Sequence, residues 1–122
     1  MNTNGLFFLD ILSIMPRNDT MFYIQASDVF QDGFLSIVSE TDDPALLQVK
    51  YNEATQEVLK EMISNNDIND YFEYIAMVND GRTLFEGYDG VDFGLFSKDF
   101  NIPIWFSDKY KRGDKYEISV DW

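Results

Sequence analysis

Histidine and cysteine are both absent from this chain of 122 residues. Without histidine, acid–base chemistry would depend on carboxylates, lysine or tyrosine. Without cysteine, the chain has no disulfide, no thiolate zinc site and no thiol nucleophile, which is compatible with a reducing compartment. Nucleophile motifs such as G-x-S-x-G, phosphate-binding glycine loops and dinucleotide fingerprints are also missing. We therefore expect a protein that is not an enzyme and that carries no cofactor.

Basic side chains are scarce. Nine lysines and arginines stand against 22 aspartates and glutamates, which gives a net charge of −13. Such a charge repels nucleic acid and anionic membranes and accelerates encounter with a basic protein. The chain is nevertheless 45% hydrophobic and 16% aromatic, whereas disordered acidic chains are poor in aromatic residues. These values predict a single acidic globular domain over residues 1–122, with a basic protein as its partner and no binding to nucleic acid or membranes.

An apolar run from Leu6 to Met15 has about the length of a signal-peptide core. Asp10 interrupts it, no lysine or arginine precedes it, and it is far shorter than the roughly 20 residues that cross a bilayer. We therefore expect a cytoplasmic protein. Residues 5–15 fit a short N-terminal helix that ends before Pro16, with a buried edge strand as the alternative.

The rest of the chain predicts an α+β fold, with a mostly antiparallel sheet of about five or six strands and one long helix packed on a face. Residues 21–26 and 34–39 read as an antiparallel pair joined around Asp32-Gly33. Asp43 is placed as an N-cap and Pro44 as the first helical residue, which predicts the long helix over about 44–64. On that helix, one face would carry Leu47, Tyr51, Ala54, Val58 and Met62.

Asp-Gly pairs between apolar runs mark the second half of the sheet. Asp80-Gly81 separates residues 71–78 from residues 82–88 and predicts a hairpin, because both turn residues must tolerate positive φ. Asp89-Gly90 predicts a second turn, after which residues 91–97 form either a strand or a short helix. Residues 102–106 and 116–120 are the last strand candidates. We expect Trp105 to pack in the core and Trp122 to lie at an exposed end.

The negative charge is unevenly distributed. Eight carboxylates between Glu61 and Asp92 surround the single Arg82, whereas five of the nine basic residues lie within 98–115. Carboxylates can pair with lysine and arginine of a partner, and tyrosines, here Tyr71, Tyr74 and Tyr88, supply contact area. The alternative is that the aromatic residues are core and the acids merely solvated. We expect a partner-binding surface centred on the turns at Asp80 and Asp89 and formed by Asp67, Asp70, Glu73, Asp80, Glu86, Tyr88, Asp89 and Asp92.

The segment Asp67-Ile68-Asn69-Asp70 resembles the start of a calcium-binding loop. Such a loop has glycine at its sixth position and glutamate at its twelfth, where this chain has Phe72 and Val78. Transition metals are disfavoured because their usual histidine and cysteine ligands are absent. We therefore expect no metal site.

Two stretches, YIAMVNDGRTLFEGYDGVDFG from Tyr74 to Gly94 and YEISVDW from Tyr116 to Trp122, carry a family resemblance. With the acidic α+β character and the length of the chain, they resemble the small cytoplasmic immunity proteins of bacterial contact-dependent growth inhibition and other polymorphic toxin systems. The resemblance implies a toxin inhibitor that binds a cognate toxin domain, often a basic nuclease, and covers its active site or an adjacent surface.

Two alternatives belong to other classes. The first is an acidic phosphate mimic of the kind made by phages, which inhibits a DNA-binding or defence protein and needs carboxylates spaced like duplex phosphates on one face. The second is a carboxylate-dependent enzyme, which needs a concave pocket and at least one carboxyl group with a raised pKa.

Overall fold

A computed structural model describes residues 3–26, 36–65 and 72–122. Within these residues the fold is α+β, as predicted, with three helices and one seven-stranded sheet. The helices are α1 (Thr3–Ile14), α2 (Glu53–Asn65) and α3 (Ile104–Lys109). The strands are β1 (Thr20–Ala26), β2 (Val38–Glu40), β3 (Leu47–Tyr51), β4 (Phe72–Asn79), β5 (Arg82–Tyr88), β6 (Phe93–Phe96) and β7 (Tyr116–Ile118). The sheet thus has more strands than the five or six predicted, and the helical residues are divided differently.

The sheet has the order β2-β3-β1-β4-β5-β6-β7. Every neighbouring pair is antiparallel except β6 and β7, which are parallel. Side chains alternate between the two faces of each strand. In β1, for example, Phe22 and Ile24 are fully buried, whereas Met21 and Tyr23 are half-buried. One face therefore faces the core, and the other is more open.

The helices pack on the core face. The Phe7 ring of α1 lies 6.4 Å from the Phe85 ring of β5, and the Phe106 ring of α3 lies 5.5 Å from the Phe96 ring of β6. Helix α2 joins the same core through Leu59, Met62 and Ile63, which are buried. All three helices therefore lie on one side of the sheet.

The short N-terminal helix is confirmed, but the long helix predicted over 44–64 is wrong in its first half. Residues 47–51 form strand β3, because Val49 and Tyr51 are buried and Lys50 between them is exposed, an alternation with a period of two. The helix begins after Asn52. There the Thr55 backbone N–H donates to Asn52 Oδ1 at 3.0 Å, and the Asn52 backbone N–H donates to Thr55 Oγ1 at 2.9 Å, a reciprocal cap. Asp43 instead caps a turn, accepting a hydrogen bond from the Ala45 N–H.

The predicted pairing of residues 21–26 with 34–39 is also wrong. Strand β2 pairs with β3, with Val38 opposite Val49, and β3 lies between β2 and β1. Both errors have one origin. The prediction assigned residues 47–51 to a helix, and so it lacked strand β3, which separates β1 from β2 in the sheet. The expected turn at Asp32-Gly33 lies outside the described residues.

The hairpin of β4 and β5 is confirmed. Asp80 and Gly81 have φ of 48° and 79°, the backbone that a two-residue hairpin turn requires. Segment 91–97 contains strand β6, so the strand alternative holds there, and β7 falls within the predicted 116–120.

The strand predicted at 102–106 is wrong. Helix α3 begins directly after Pro103, whose carbonyl accepts a hydrogen bond from the Phe106 N–H at 3.1 Å. Proline has no N–H to give to a strand ladder and is readily accommodated where a helix starts.

The two tryptophans also differ from expectation. Trp105 is 47% exposed, and Trp122 is half-buried.

Gly94→Ala should strongly destabilise the fold. A Cβ atom at position 94 would lie 2.3 Å from Phe85 Cζ, and the Phe85 side chain is fully buried and cannot move aside. We expect the free energy of unfolding, measured by urea denaturation, to fall by about 2 to 3 kcal/mol. In a Phe85→Leu background the same substitution should cost less, since the ring that it meets is gone. An equal cost in both backgrounds would show that the contact with Phe85 is not the cause.

Tyr51→Phe should destabilise the junction of α1, β3 and α2. The buried Tyr51 hydroxyl donates to the Leu12 carbonyl near the end of α1 and accepts a hydrogen bond from Gln56 Nε2 at 2.9 Å. Removing it leaves both partners buried and unpaired, at a cost of about 1 to 3 kcal/mol in unfolding free energy. Tyr23→Phe, on the face of the sheet away from the helices, is the matched control and should lower the free energy of unfolding by less than about 0.5 kcal/mol. Similar losses for the two variants would contradict this role of Tyr51.

Candidate protein-binding surface

The sheet face opposite the helices carries a regular array of aromatic and acidic side chains. Strand register places Tyr23, Ala76, Glu86 and Leu95 in one cross-strand row, and Gln25, Tyr74, Tyr88 and Phe93 in the next. We call these eight residues the open face. None of the three helices packs on it. The two rows place four aromatic rings around one carboxylate.

That carboxylate, Glu86, is held by two tyrosines. The Tyr74 hydroxyl donates to Glu86 Oε2 at 2.6 Å, and the Tyr88 hydroxyl donates to the same oxygen at 3.1 Å. The arrangement follows from the sheet, because Tyr74 and Tyr88 are directly paired across β4 and β5 and Glu86 lies two residues from Tyr88 on the same face. Among the described residues, no donor reaches Glu86 Oε1. One oxygen is thus fixed by two hydrogen bonds, and the other accepts none from the described residues.

The two phenols are firmly protonated. Burial raises the pKa of Tyr74 above its ordinary value of 10.0, and the hydrogen bond to the Glu86 carboxylate raises it further. Burial also raises the pKa of Tyr88, with the negative charge of Glu86 as the next cause. Both hydroxyls therefore remain donors at neutral pH. The Tyr74 and Tyr88 rings, with centroids 5.7 Å apart, form with Glu86 one ordered acidic and aromatic unit.

Three other predicted residues lie around this end of the strands. Gln25 Nε2 donates to Glu73 Oε2 at 3.2 Å, and the Asp89 backbone N–H donates to the Glu73 carbonyl at 3.0 Å. Asp92, in the same β5–β6 connection as Asp89, forms a 3.8 Å ion pair with Lys115. The structure therefore places Glu73 and Asp89 at the end of the strands next to the Tyr74–Tyr88 pair, and part of the charge of Asp92 is offset by lysine.

Asp80 does not join this group. It lies in the turn before β5, whereas Asp89 follows the other end of that strand. A seven-residue strand at about 3.3 Å per residue separates the two turns by roughly 20 Å. The two turns thus lie at opposite ends of the sheet, and the acidic and aromatic cluster is centred on Glu86. Asp67 and Asp70 lie outside the described residues.

Tyr23 and Phe93 belong to the open face but were not among the predicted residues. Tyr23 is on the neighbouring strand β1, and Phe93 pairs with Tyr88 from β6. Counting the β4–β5 residue pairs outward from the Asp80-Gly81 turn could have suggested on which face of the sheet Tyr74 lies. A bulge between Met77 and Val78 shifts the register, however, and is not evident in the sequence.

A carboxylate-dependent enzyme would need a carboxyl group with a raised pKa. Arg112 lowers the pKa of the Glu117 carboxyl by hydrogen bonding, the opposite of what a general acid needs. Within residues 3–26, 36–65 and 72–122, no three acidic side chains converge as a metal site would require. No helix in this part of the chain is long and apolar enough to span a bilayer.

No protein-family model, curated protein or solved structure matches the chain. We therefore infer function from the geometry and charge of the open face, together with the composition of the chain. The feature with the most defined geometry is the carboxylate of Glu86 between Tyr74 and Tyr88.

Glu86→Gln should lower the pKa of both Tyr74 and Tyr88, because each is raised in part by the Glu86 carboxylate. The measurement is a spectrophotometric titration of phenolate absorbance in the folded protein. Two of the late-titrating tyrosines should ionise at lower pH, whereas Glu57→Gln on α2 should leave the curve unchanged. If Glu86→Gln left the curve unchanged as well, the two hydrogen bonds would be refuted.

The same variant should change how stability depends on alkaline pH. A phenol whose pKa is raised in the folded state stabilises the fold fully below its unfolded pKa of about 10, and this contribution is lost as pH rises through the folded pKa. The unfolding free energy of the parent protein should thus fall above about pH 10. In Glu86→Gln the fall should be smaller, because the folded pKa values lie closer to the unfolded one. Urea denaturation at pH 9 and above about pH 10 tests this.

Proposed function

We propose that this protein is an immunity protein that binds a cognate bacterial toxin domain, a basic nuclease, and neutralises it through the open face. The observation that carries the proposal is the Glu86 carboxylate, held between Tyr74 and Tyr88 on a sheet face against which none of the three described helices packs, in a chain of net charge −13. The sequence resemblance supports the assignment to the class of immunity proteins, and the negative charge of the chain supports a positively charged partner.

The physical argument begins with the toxin. A nuclease must attract phosphates, so its substrate cleft carries lysine and arginine. A protein that presents ordered carboxylates can occupy that cleft by charge complementarity and exclude the substrate. Long-range attraction to the negative chain would accelerate encounter, and this acceleration weakens as salt rises.

The open face also has what close contact requires. Glu86 Oε2 already accepts two hydrogen bonds, so a lysine or arginine of the partner would approach Oε1 and form a charge-assisted bond without reordering the glutamate. Tyr23, Tyr74, Tyr88 and Phe93 are all half-buried, and they surround the carboxylate with rings. Rings of this kind exclude water from a central ion pair and are enriched at binding hot spots.

Two steps test the proposal. First, the tagged protein is used to capture partners from the source cell at low salt, and the captured proteins are identified by mass spectrometry. We expect a basic nuclease domain that is released at high salt. Second, that domain is expressed alone, where it should arrest growth, and together with this protein, where growth should recover. A captured DNA-binding protein without toxicity would instead support the phosphate-mimic alternative.

Glu86→Lys should abolish this rescue. Reversing a charge at the centre of the contact should weaken binding to the captured toxin by about a hundredfold or more, measured by titration calorimetry. Glu61→Lys changes the net charge by the same amount on an exposed position of α2, on the opposite side of the sheet, and should have only a small effect. Equal weakening by the two variants would point to overall charge and would refute the open face as the binding surface.

A further inference from the structure

A cleft of about 530 Å³ lies at the end of the sheet where β5 begins and β6 ends. Its lining includes Arg82 and Leu84 of β5, Lys98 and Phe100 after β6, and Trp122. The volume falls in the range of small-molecule sites, about 300 to 1,000 Å³. The cleft lies next to the Asp80-Gly81 turn, at the far end of β5 from Tyr88 and Asp89.

Two cationic side chains lie at this cleft. Arg82 and Lys98 line it with Asp99 as the single acidic residue. Lys60, Lys109, Arg112 and Lys115 form ion pairs, whereas Arg17, Lys50 and Lys111 form none among the described residues. Among the described residues, neither Arg82 nor Lys98 has such a partner. Arg82 and Lys98 differ from those three residues because they line the same cleft, and two cations at one cleft favour a negative group there.

The aromatic walls of the cleft are fixed by the fold. The Phe100 ring stacks on the buried Phe96 ring at 5.5 Å with an interplanar angle of 13°. The Trp122 carbonyl accepts a hydrogen bond from the Lys98 N–H at 2.7 Å, and the Trp122 N–H donates to Ser119 Oγ at 3.1 Å. The Phe100 ring is therefore held against the core, and the main chain of Trp122 is held next to Lys98, so both aromatic residues lie at this cleft before a ligand binds.

We propose that this cleft binds a small anion that carries an aromatic ring. The ring contacts Phe100 and Trp122, and the anionic group lies between Arg82 and Lys98. This site is separate from the open face, and the inference does not depend on the proposed function. Its chemistry fits an aryl phosphate or an aromatic carboxylate, because both combine a flat apolar body with a terminal negative charge.

The two tryptophans allow a direct test. Trp105→Phe replaces a half-exposed residue outside the cleft and leaves Trp122 as the only indole. Titration of this variant with phenyl phosphate and with benzoate should change Trp122 fluorescence saturably. Benzyl alcohol, which has the ring without the charge, should bind at least tenfold more weakly. No saturable change with either anion up to about 10 mM, beyond the weak end of ordinary affinities, would overturn the proposal.

Variants locate the site. In the Trp105→Phe background, Arg82→Gln with Lys98→Gln should weaken binding of the anionic probe at least tenfold. Lys50→Gln with Lys111→Gln removes the same charge at exposed positions outside the cleft and should change affinity less than twofold. In amide NMR spectra, the probe should shift Gly81 and Asn101 but not Gly113. Equal weakening in the two pairs, or shifts centred elsewhere, would refute the cleft as the binding site.

Discussion

The packing of Phe85 against Phe7 and Phe96 is the contact on which the arrangement of the molecule depends. Phe85 is fully buried, its ring lies 4.9 Å from that of Phe96, and it occupies the space beside Gly94 where a side chain would otherwise stand. Through Phe7 it joins α1 to β5, and Phe7 in turn contacts Phe106 of α3. Because this aromatic core draws the helices to one face, none of the three described helices lies on the other face of β1, β4, β5 and β6.

The open face combines groups that are costly to place together. A carboxylate among half-buried rings loses hydration, and two phenol hydroxyls compensate for part of that loss. The same contacts hold Glu86 in one orientation, so that a cation pairing with it would cost little side-chain conformational entropy. Elsewhere Asp10 shows a similar arrangement, accepting from Tyr110 at 2.6 Å and pairing with Lys109 at 2.8 Å, but there a lysine already satisfies the charge. Glu86 has no such cation among the described residues.

Local signals in the sequence predicted some elements well. Asp80-Gly81 located the hairpin, and the apolar run before Pro16 located α1. The pattern around residues 44–51 was ambiguous, because Asp43-Pro44 suits a turn as well as a helix start and five residues of alternation are too few to exclude a helix. The sequence predicts a partner-facing role for Glu86 and Tyr88, but their hydrogen-bonded cluster with Tyr74 depends on the register of β4 and β5. The cleft lined by Arg82 and Lys98 depends on the contact of the C-terminal Trp122 with Lys98. Such long-range placements are set by tertiary packing, which short patterns do not encode.

The brevity of the two outer strands has a consequence for the behaviour of the protein at high concentration. Strands β2 and β7, at the two edges of the sheet, have three residues each and include Glu40 and Glu117. A sheet edge offers unpaired N–H and C=O groups to any other chain, and short, charged edges limit that pairing. Rows of half-buried aromatic side chains on a sheet face that carries none of the three described helices favour self-association. Short, charged edges disfavour the addition of a strand from another molecule, so that self-association through the edges of the sheet is restrained.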